Sequence, residues 1–232
     1  MSASIHLHPT AELAPRVLLP DDPGRALLLA QSLLDEPRMF NHNRGLWGYT
    51  GAAGDGELLT IQSTGMGGPS TAIVVSELID LGAERLIRVG TCGAIDSSLA
   101  LGDLLNATLA LAGDGTSRAL GAGDRVAASA ELTAALAAAA PDGQVRPGVV
   151  VSTDLFYETR PGTEREWLAA GAVAVEMETA TLFALAGVRG VQAASLLIVS
   201  DVILPERTRI SVEALRAAEH RLGDVAARAL AA

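Results

Sequence analysis

The stretch Leu86-Ile87-Arg88-Val89-Gly90-Thr91-Cys92-Gly93, residues 86–93, decides how the rest of the chain is read. Residues 86–89 form a short, buried-looking strand, and a turn with two glycines follows it. The same order recurs twice. The apolar run 149–151 ends in Ser152-Thr153-Asp154, and the run 194–199 ends in Ser200-Asp201. In α/β proteins ligands bind at the carboxyl ends of the sheet's strands, so the small and polar residues after these runs are where chemistry is sought.

Working outward, residues 17–19 are apolar and stop at Pro20, and Asp21-Asp22-Pro23-Gly24-Arg25 leads into an apolar-periodic stretch over 26–34. That pattern predicts strand, turn and helix, with Asp22 as N-cap and Pro23 at the first helical position. Residues 49–50 and 58–62 read as strands of a hairpin around Gly51, Gly54 and Gly56. Ser63-Thr64-Gly65-Met66-Gly67-Gly68-Pro69-Ser70 then precedes a helical pattern over 71–81. Further helices are expected over 131–140, 163–170, 179–186 and 212–231. No linker and no repeat divides the chain, so the reading is one α/β domain, residues 1–232, around a central mixed sheet flanked by helices.

Composition narrows the partners. Against 17 basic residues stand 27 acidic ones, a formal charge of −10, which opposes binding to nucleic acid or an anionic membrane and leaves any anionic ligand to local arginines. The single cysteine, Cys92, excludes an intramolecular disulfide and fits a reducing compartment. No apolar run reaches the roughly 18 residues that span a bilayer, and no leader pattern opens the chain, so a soluble cytoplasmic protein is expected. His6, His8, His42 and His220 are scattered without metal-ligand spacing, and no metal site is expected.

Several residues stand out against this background. Arg25 sits in the first turn of its helix, where a cation gains nothing from the helix dipole; an anion would explain it, and a solvated side chain is the ordinary alternative. Arg88 lies inside an apolar strand, so it needs a partner, either a ligand or a structural carboxylate. Glu176 and Glu178 flank Met177 at a helix start, where acidic residues are favoured by the dipole alone. At a spacing of two they are expected to point to different sides, which leaves one of them free to accept hydrogen bonds from ribose hydroxyls. Asp201 invites proton transfer, with a turn or N-cap aspartate as the plain alternative. Phe156 and Tyr157 are adjacent in a chain with 3% aromatics and could stack on a flat base or simply plug a hydrophobic gap.

Taken in order, the segments Val17–Arg25, Asn43-Arg44-Gly45-Leu46-Trp47-Gly48-Tyr49-Thr50-Gly51, Thr64-Gly65-Met66-Gly67, Ile87-Arg88-Val89-Gly90-Thr91-Cys92-Gly93, Asp154-Leu155-Phe156-Tyr157, Val175-Glu176-Met177-Glu178 and Val199-Ser200-Asp201 resemble the nucleoside phosphorylase superfamily. Within it the likeness is to the hexameric, purine-handling members. The resemblance implies a mixed sheet that is partly barrel-like, and phosphorolysis of purine nucleosides or deoxynucleosides to base and sugar 1-phosphate. It implies Arg25, Arg88 and Thr91 as phosphate contacts, with Arg44 reaching a neighbouring subunit's phosphate. Met66, Met177 and Glu178, with Glu176 nearby, resemble the ribose contacts. His6, or His8 given the gap in the match before Pro20, resembles the histidine donated across a dimer. Phe156 and Val175 resemble the base wall, Ser200 and Asp201 the pair that faces purine N7, and Arg216 the arginine that engages this aspartate. No cofactor is implied beyond phosphate as co-substrate, and the assembly implied is a homohexamer, a trimer of dimers.

The chemistry suits these roles, because glycosidic cleavage builds positive charge on the sugar and negative charge on the base. An ordinary aspartic acid is protonated only about once in 10^3 at pH 7, a cost of about 4 kcal/mol, so an aspartate that donates to N7 needs help from burial or from the base itself. One departure bears on the reaction: Asp21 stands where the family has glycine, and its carboxylate can repel the anion or occupy its arginines. Hydrolysis by a nucleosidase of the same superfamily is the alternative that Asp21 favours and that Arg25, Arg44 and Arg88 oppose. Uridine phosphorolysis is opposed by Ser200-Asp201 and by Glu158-Thr159-Arg160-Pro161, which lacks the Gln-x-Arg pair resembling a uracil-binding element. From another class, a catalytically silent nucleoside-binding protein would keep the same fold.

Overall fold

The structure, a computed structural model, describes residues 4–141 and 143–232. In chain order its strands are β1 (Arg16–Leu19), β2 (Asp35–Asn41), β3 (Gly48–Ala52), β4 (Leu58–Gln62), β5 (Arg85–Ala94), β6 (Leu104–Ala112), β7 (Arg125–Ala127), β8 (Val145–Ser152), β9 (Ala174–Glu176), β10 (Gln192–Val202) and β11 (Thr208–Arg209). The helices are α1 (Pro23–Leu33), α2 (Gly68–Leu81), α3 (Gly115–Ala119), α4 (Ala130–Ala138), α5 (Thr163–Ala169), α6 (Thr179–Arg189) and α7 (Val212–Ala231).

Everything is hung on β5. One of its edges pairs with β10, parallel, along its whole length. The other edge has two partners in succession: β1, parallel, at residues 85–88, and β9, antiparallel, at Gly93 and Ala94. From β9 the sheet continues through β8 and β6 back to β10, which closes five strands into a barrel. From β1 it continues through β4 and β3 to β2 as an open wing. The sheet is mixed and partly barrel-like, as expected. Between the departures of β1 and β9, residues 89–92 have no strand partner on that edge, and a sheet that splits in this way leaves a crevice at its strands' carboxyl ends.

Side chains along the central strands alternate between two cores with the period of a pleat. Leu86, Leu197 and Val199 join a core with Val74, Val75 and Leu78 of α2 and Leu182 and Phe183 of α6. Ile87, Val89, Leu196 and Ile198 join the opposite core, with Ala26 and Leu29 of α1, Leu132 and Leu136 of α4, and Leu222 and Val225 of α7. Helices therefore cover both faces, which is why these strands read as continuous apolar runs and not as alternating ones.

Helix α1 begins as its sequence predicts, with Asp22 accepting from the Gly24 and Arg25 amides at 3.0 and 3.1 Å and Pro23 at the first position. In α7 the buried residues Ala218, Glu219, Leu222, Val225, Ala226 and Ala229 recur at helical spacing. Glu219 is a charge on an otherwise apolar stripe, so it requires a cation on the facing helix.

The differences from expectation have local causes. Strands β5 and β10 run on past residues 89 and 199, because Cys92 pairs with Val199 and Gly93 with Asp201 across a bulge at Ser200. Thr91, Ser200 and Asp201 therefore stand on strand ends and not in loops. Strand β6 escapes a reading by propensity because Thr108 is its only β-branched residue among leucines, alanines and Asn106. Strand β2 contains Pro37 and mostly exposed side chains, and it survives as a strand because it lies at the sheet's edge.

Gly113, just beyond β6, has room for no side chain, since a Cβ there would meet the Ser152 carbonyl oxygen at 2.5 Å. Gly113→Ala should lose about 1–3 kcal/mol of unfolding free energy in urea titrations. Gly54→Ala, with no atom within 4 Å of the added carbon, should stay within about 0.5 kcal/mol of the parent.

Candidate active site

The crevice is a cavity of about 480 Å³ lined by two groups of charged residues and an apolar wall. The first group surrounds Arg88. This guanidinium is 2% exposed, and desolvation alone would be prohibitive, so it is compensated by carboxylates. Its Nε lies 3.2 Å from Glu176 Oε2 and its Nη2 pairs with Glu178 Oε2. Its Nη1 is buried without a hydrogen-bond partner. The two glutamates were expected to face apart, and they do not. Glu176 ends β9 and Glu178 stands at the N-cap position of α6, so the chain turns at Met177 from strand to helix and brings both carboxylates onto one cation.

Glu176 is already well supplied with donors. Ser152 Oγ, the Glu178 amide at 2.9 Å and the Thr179 amide at 2.9 Å from Oε2 all donate to it. Glu178 receives the Gly67 amide, and it also lines the cavity. Burial pushes the Glu178 carboxyl up to about 7, with Glu176 and Asp21 adding to the effect while Arg88 opposes it.

Arg25 is buried as well, and it is not the solvated helix residue of the plain alternative. Its Nε donates to Glu219 Oε1 at 2.9 Å, which supplies the cation that Glu219 requires, and its Nη1 pairs with Asp21 Oδ1. Burial works against the ionised form of Asp21, but the Arg25 and Arg88 guanidiniums outweigh it and hold the carboxyl below its ordinary value. Asp21, Arg88 and Thr91 line the cavity, and Arg25 does not.

The second group lies where β10 ends. Asp201 is buried and accepts from Ser200 Oγ at 2.9 Å on Oδ2. Its Oδ1 is 3.2 Å from Arg209 Nε and 3.8 Å from Arg207 Nε. The expectation that Arg216 engages this aspartate is therefore corrected. Strand β11 folds back antiparallel on β10 and sets Arg209 directly opposite Asp201, whereas Arg216 lies exposed on α7. Arg207 also stands 5.5 Å over the Phe156 ring, which meets Tyr157 edge-on at 5.0 Å. Both aromatics are exposed at the cavity's margin, with Val175, Trp167 and Ile203 completing the apolar wall. Because Arg88 and Gly93 both belong to β5 and Gly93 is paired with Asp201, five strand steps, roughly 16 Å of backbone, separate the two groups.

Met66, Met177 and Glu176 also line the cavity. His6, His8 and Arg44 do not. The His6 ring is held by Nδ1 at 2.6 Å from Glu77 Oε1, His8 is exposed, and Arg44 is exposed in a short 3-10 turn at φ 58°. Sequence reading missed Glu77, Glu219, Arg207 and Arg209, because a carboxylate within a helix or an arginine in a polar loop looks like ordinary solvated surface. Cys92 reaches the cavity too, but burial and the nearby Glu176 push its thiol up, so it stays protonated and inert.

A profile of the phosphorylase superfamily matches residues 15–231. The DeoD-type purine nucleoside phosphorylase of Geobacillus kaustophilus is 41% identical over 207 residues, covering 87% of each chain. That of Alkaliphilus metalliredigens is 39% identical, covering 87% of this chain and 88% of its own. Among solved structures, uridine phosphorylase from Vibrio fischeri superposes with a TM-score of 0.85 at 27% identity, over 99% of this chain and 98% of that one. Purine nucleoside phosphorylase from Toxoplasma gondii in complex with immucillin-H shares the fold, with a TM-score of 0.89 at 24% identity over 100% and 97% of the two chains.

The raised Glu178 carboxyl has a thermodynamic consequence. The folded chain holds that proton up to about pH 7, whereas an unfolded glutamate releases it near pH 4.3. Stability from this group is therefore full below the unfolded value and is lost as pH rises through about 7. Glu178→Gln should gain Tm relative to the parent between pH 5 and pH 7 in thermal unfolding and level off above that, the opposite trend to that of an ordinary ion-paired carboxylate.

Proposed function

The chain belongs to the phosphorylase superfamily, and on that premise we propose that it cleaves purine nucleosides or deoxynucleosides with inorganic phosphate, giving a free purine and (deoxy)ribose 1-phosphate. The DeoD-type names of its relatives support the substrate and the reaction. The observation that carries the reading is the buried, unpartnered Nη1 of Arg88 in a cavity that also holds the buried acid Asp201. A buried N–H without an acceptor is costly, and an anion that enters the cavity removes that cost.

On this reading phosphate sits against Arg88 and Thr91, with Arg25 behind Asp21, and its oxygen attacks C1′ as the glycosidic bond breaks. Glu178 accepts from the ribose hydroxyls, and Met66 and Met177 pack on the sugar. Glu176 acts one step back, by holding Arg88 and the start of α6. Phe156 and Val175 flank the base. Asp201, once it has taken up a proton with the base docked against it, gives that proton to N7 as negative charge builds on the departing purine, and Ser200 and Arg209 hold the carboxylate that remains. Inorganic phosphate is the co-substrate, and the residues named supply the remaining chemistry.

Arg44 and His6 lie outside the cavity of their own chain, and this reading assigns them to the cavity of a second copy. The assembly proposed is a homo-oligomer, a hexamer made as a trimer of dimers, working in the cytoplasm. No described helix is long and apolar enough to cross a membrane.

The Asp21–Arg25 pair favours one second reading, hydrolysis, because it occupies an arginine otherwise available to phosphate. Base release from inosine and adenosine, followed with and without phosphate, separates the two. Phosphorolysis requires the rate to collapse when phosphate is removed, and equal rates would assign a nucleosidase. Asp201→Asn should lose about 10^2-fold or more in kcat with adenosine and distinctly less with inosine. Equal retention of both activities would remove Asp201 from the donor role.

A further inference from the structure

Asp21 is the one charged residue of the Arg88 group for which the reaction has no use. Its carboxylate faces the cavity and pairs with Arg25, which the cavity does not reach. Arg25 is held from its other side by Glu219 on α7 through Nε, so the donor it can offer a ligand is the Nη1 that Asp21 takes. The backbone around Asp21 is equally constrained. Its carbonyl accepts from the Gly65 amide at 3.1 Å, and the Pro20 carbonyl accepts from the Thr64 amide at 2.8 Å. Asp21 can therefore leave Arg25 only by rotation of its side chain, which breaks two contacts, the ion pair and the 2.9 Å hydrogen bond from the Asp22 amide.

Charge points the same way. Two guanidiniums, Arg25 and Arg88, are surrounded by the carboxylates of Asp21, Glu176, Glu178 and Glu219. With all six ionised the group is net negative before any phosphate arrives, although Arg88 Nη1 still lacks an acceptor. An incoming phosphate meets an attractive donor next to a carboxylate that repels it.

We infer that Asp21 is a built-in competitor of phosphate: its carboxylate occupies Arg25 as an internal anion, and phosphate gains both arginines only when Asp21 rotates away. The inference rests on the phosphorylase reading and adds that Asp21, and not the number of arginines, sets the affinity for phosphate. The nucleoside subsite, formed by Glu178, Met177, Phe156 and Asp201, is left as it is.

The test is calorimetric titration of the full-length protein with inorganic phosphate, together with phosphorolysis kinetics, for the parent, Asp21→Gly and Asp21→Asn. The asparagine variant keeps the shape and the acceptor for the Asp22 amide while removing the charge, so it carries the test if the glycine variant fails to fold. Both variants should bind phosphate about tenfold more tightly or better, the scale of one charge-assisted contact, and the KM for the nucleoside should stay within about twofold of the parent. If phosphate supports turnover but neither folded variant binds it more tightly, the competition is overturned and the phosphorylase reading stands. Tightening in the glycine variant alone would assign the effect to bulk and overturn competition for Arg25. If neither the parent nor the variants bind phosphate, and base release does not need it, both the competition and the phosphorylase reading fall.

Discussion

A guanidinium buried in the middle strand of the sheet is the constraint on which the site is built. Arg88 lies on β5 at the last position paired to β1, where the sheet starts to split. Its compensation comes from Glu176 and Glu178, on either side of the turn at Met177. That arrangement fixes where β9 must end, where α6 must begin and how closely the helix start approaches β5. Removing one partner of a buried ion pair costs about 3–5 kcal/mol, because the remaining charge is left uncompensated. The residues that shape the cavity are thus also residues that the fold depends on, and the site does not behave as a loop appendage on an indifferent scaffold.

The same burial explains why the cavity is electrostatically unusual. Two unit charges 4 Å apart interact by about 4 kcal/mol at an effective dielectric constant of 20, so four carboxylates around two guanidiniums cannot all be comfortable. Glu178 absorbs most of the conflict, since it is buried, faces Glu176 and Asp21, and is drawn toward neutrality near pH 7. Asp21 resolves it in the other direction by holding two guanidiniums close enough to remain ionised. The chain as a whole carries −10, and solvent ions screen that field within about 8–10 Å. Recognition of an anion here is a matter of contacts at Arg88 and not of long-range attraction.

What the sequence disclosed follows from the range of the interactions involved. The Asp22 cap and Pro23 act within three residues, and both read correctly from local pattern. The strands around Ile87, Val150 and Leu196 read correctly because burial on both faces makes them uniformly apolar. Arg88 was visible because a charge in such a strand demands a partner. The partner's identity was not visible, because it depends on a turn at Met177 that brings residues 88 positions apart in the chain into contact. Likeness alone points to Arg216, and the register of a two-residue strand, β11, sets Arg209 opposite Asp201 instead. Glu219 and Glu77 look like ordinary helix surface until their facing elements are placed.

Glu77 illustrates how far such placement reaches. Its carboxylate gathers Ser4 Oγ, the His6 ring, and the backbone amides of Ile5, His6 and Leu7, the last at 2.8 Å. Burial works against its ionisation, yet these donors bring it down to about 2, so the carboxylate is held ionised at neutral pH. The segment preceding β1 is thereby tied to α2 by one side chain instead of by a strand ladder. Helix α2 begins immediately after Gly67, whose amide donates to Glu178. One rigid helix of 14 residues therefore positions the cavity's central carboxylate from its first turn and the His6 imidazole from its third. On the oligomeric reading those two groups serve different cavities. A shift of α2 would be felt in both, which is a mechanical reason for the histidine to be fixed to this helix and not to a free terminal segment.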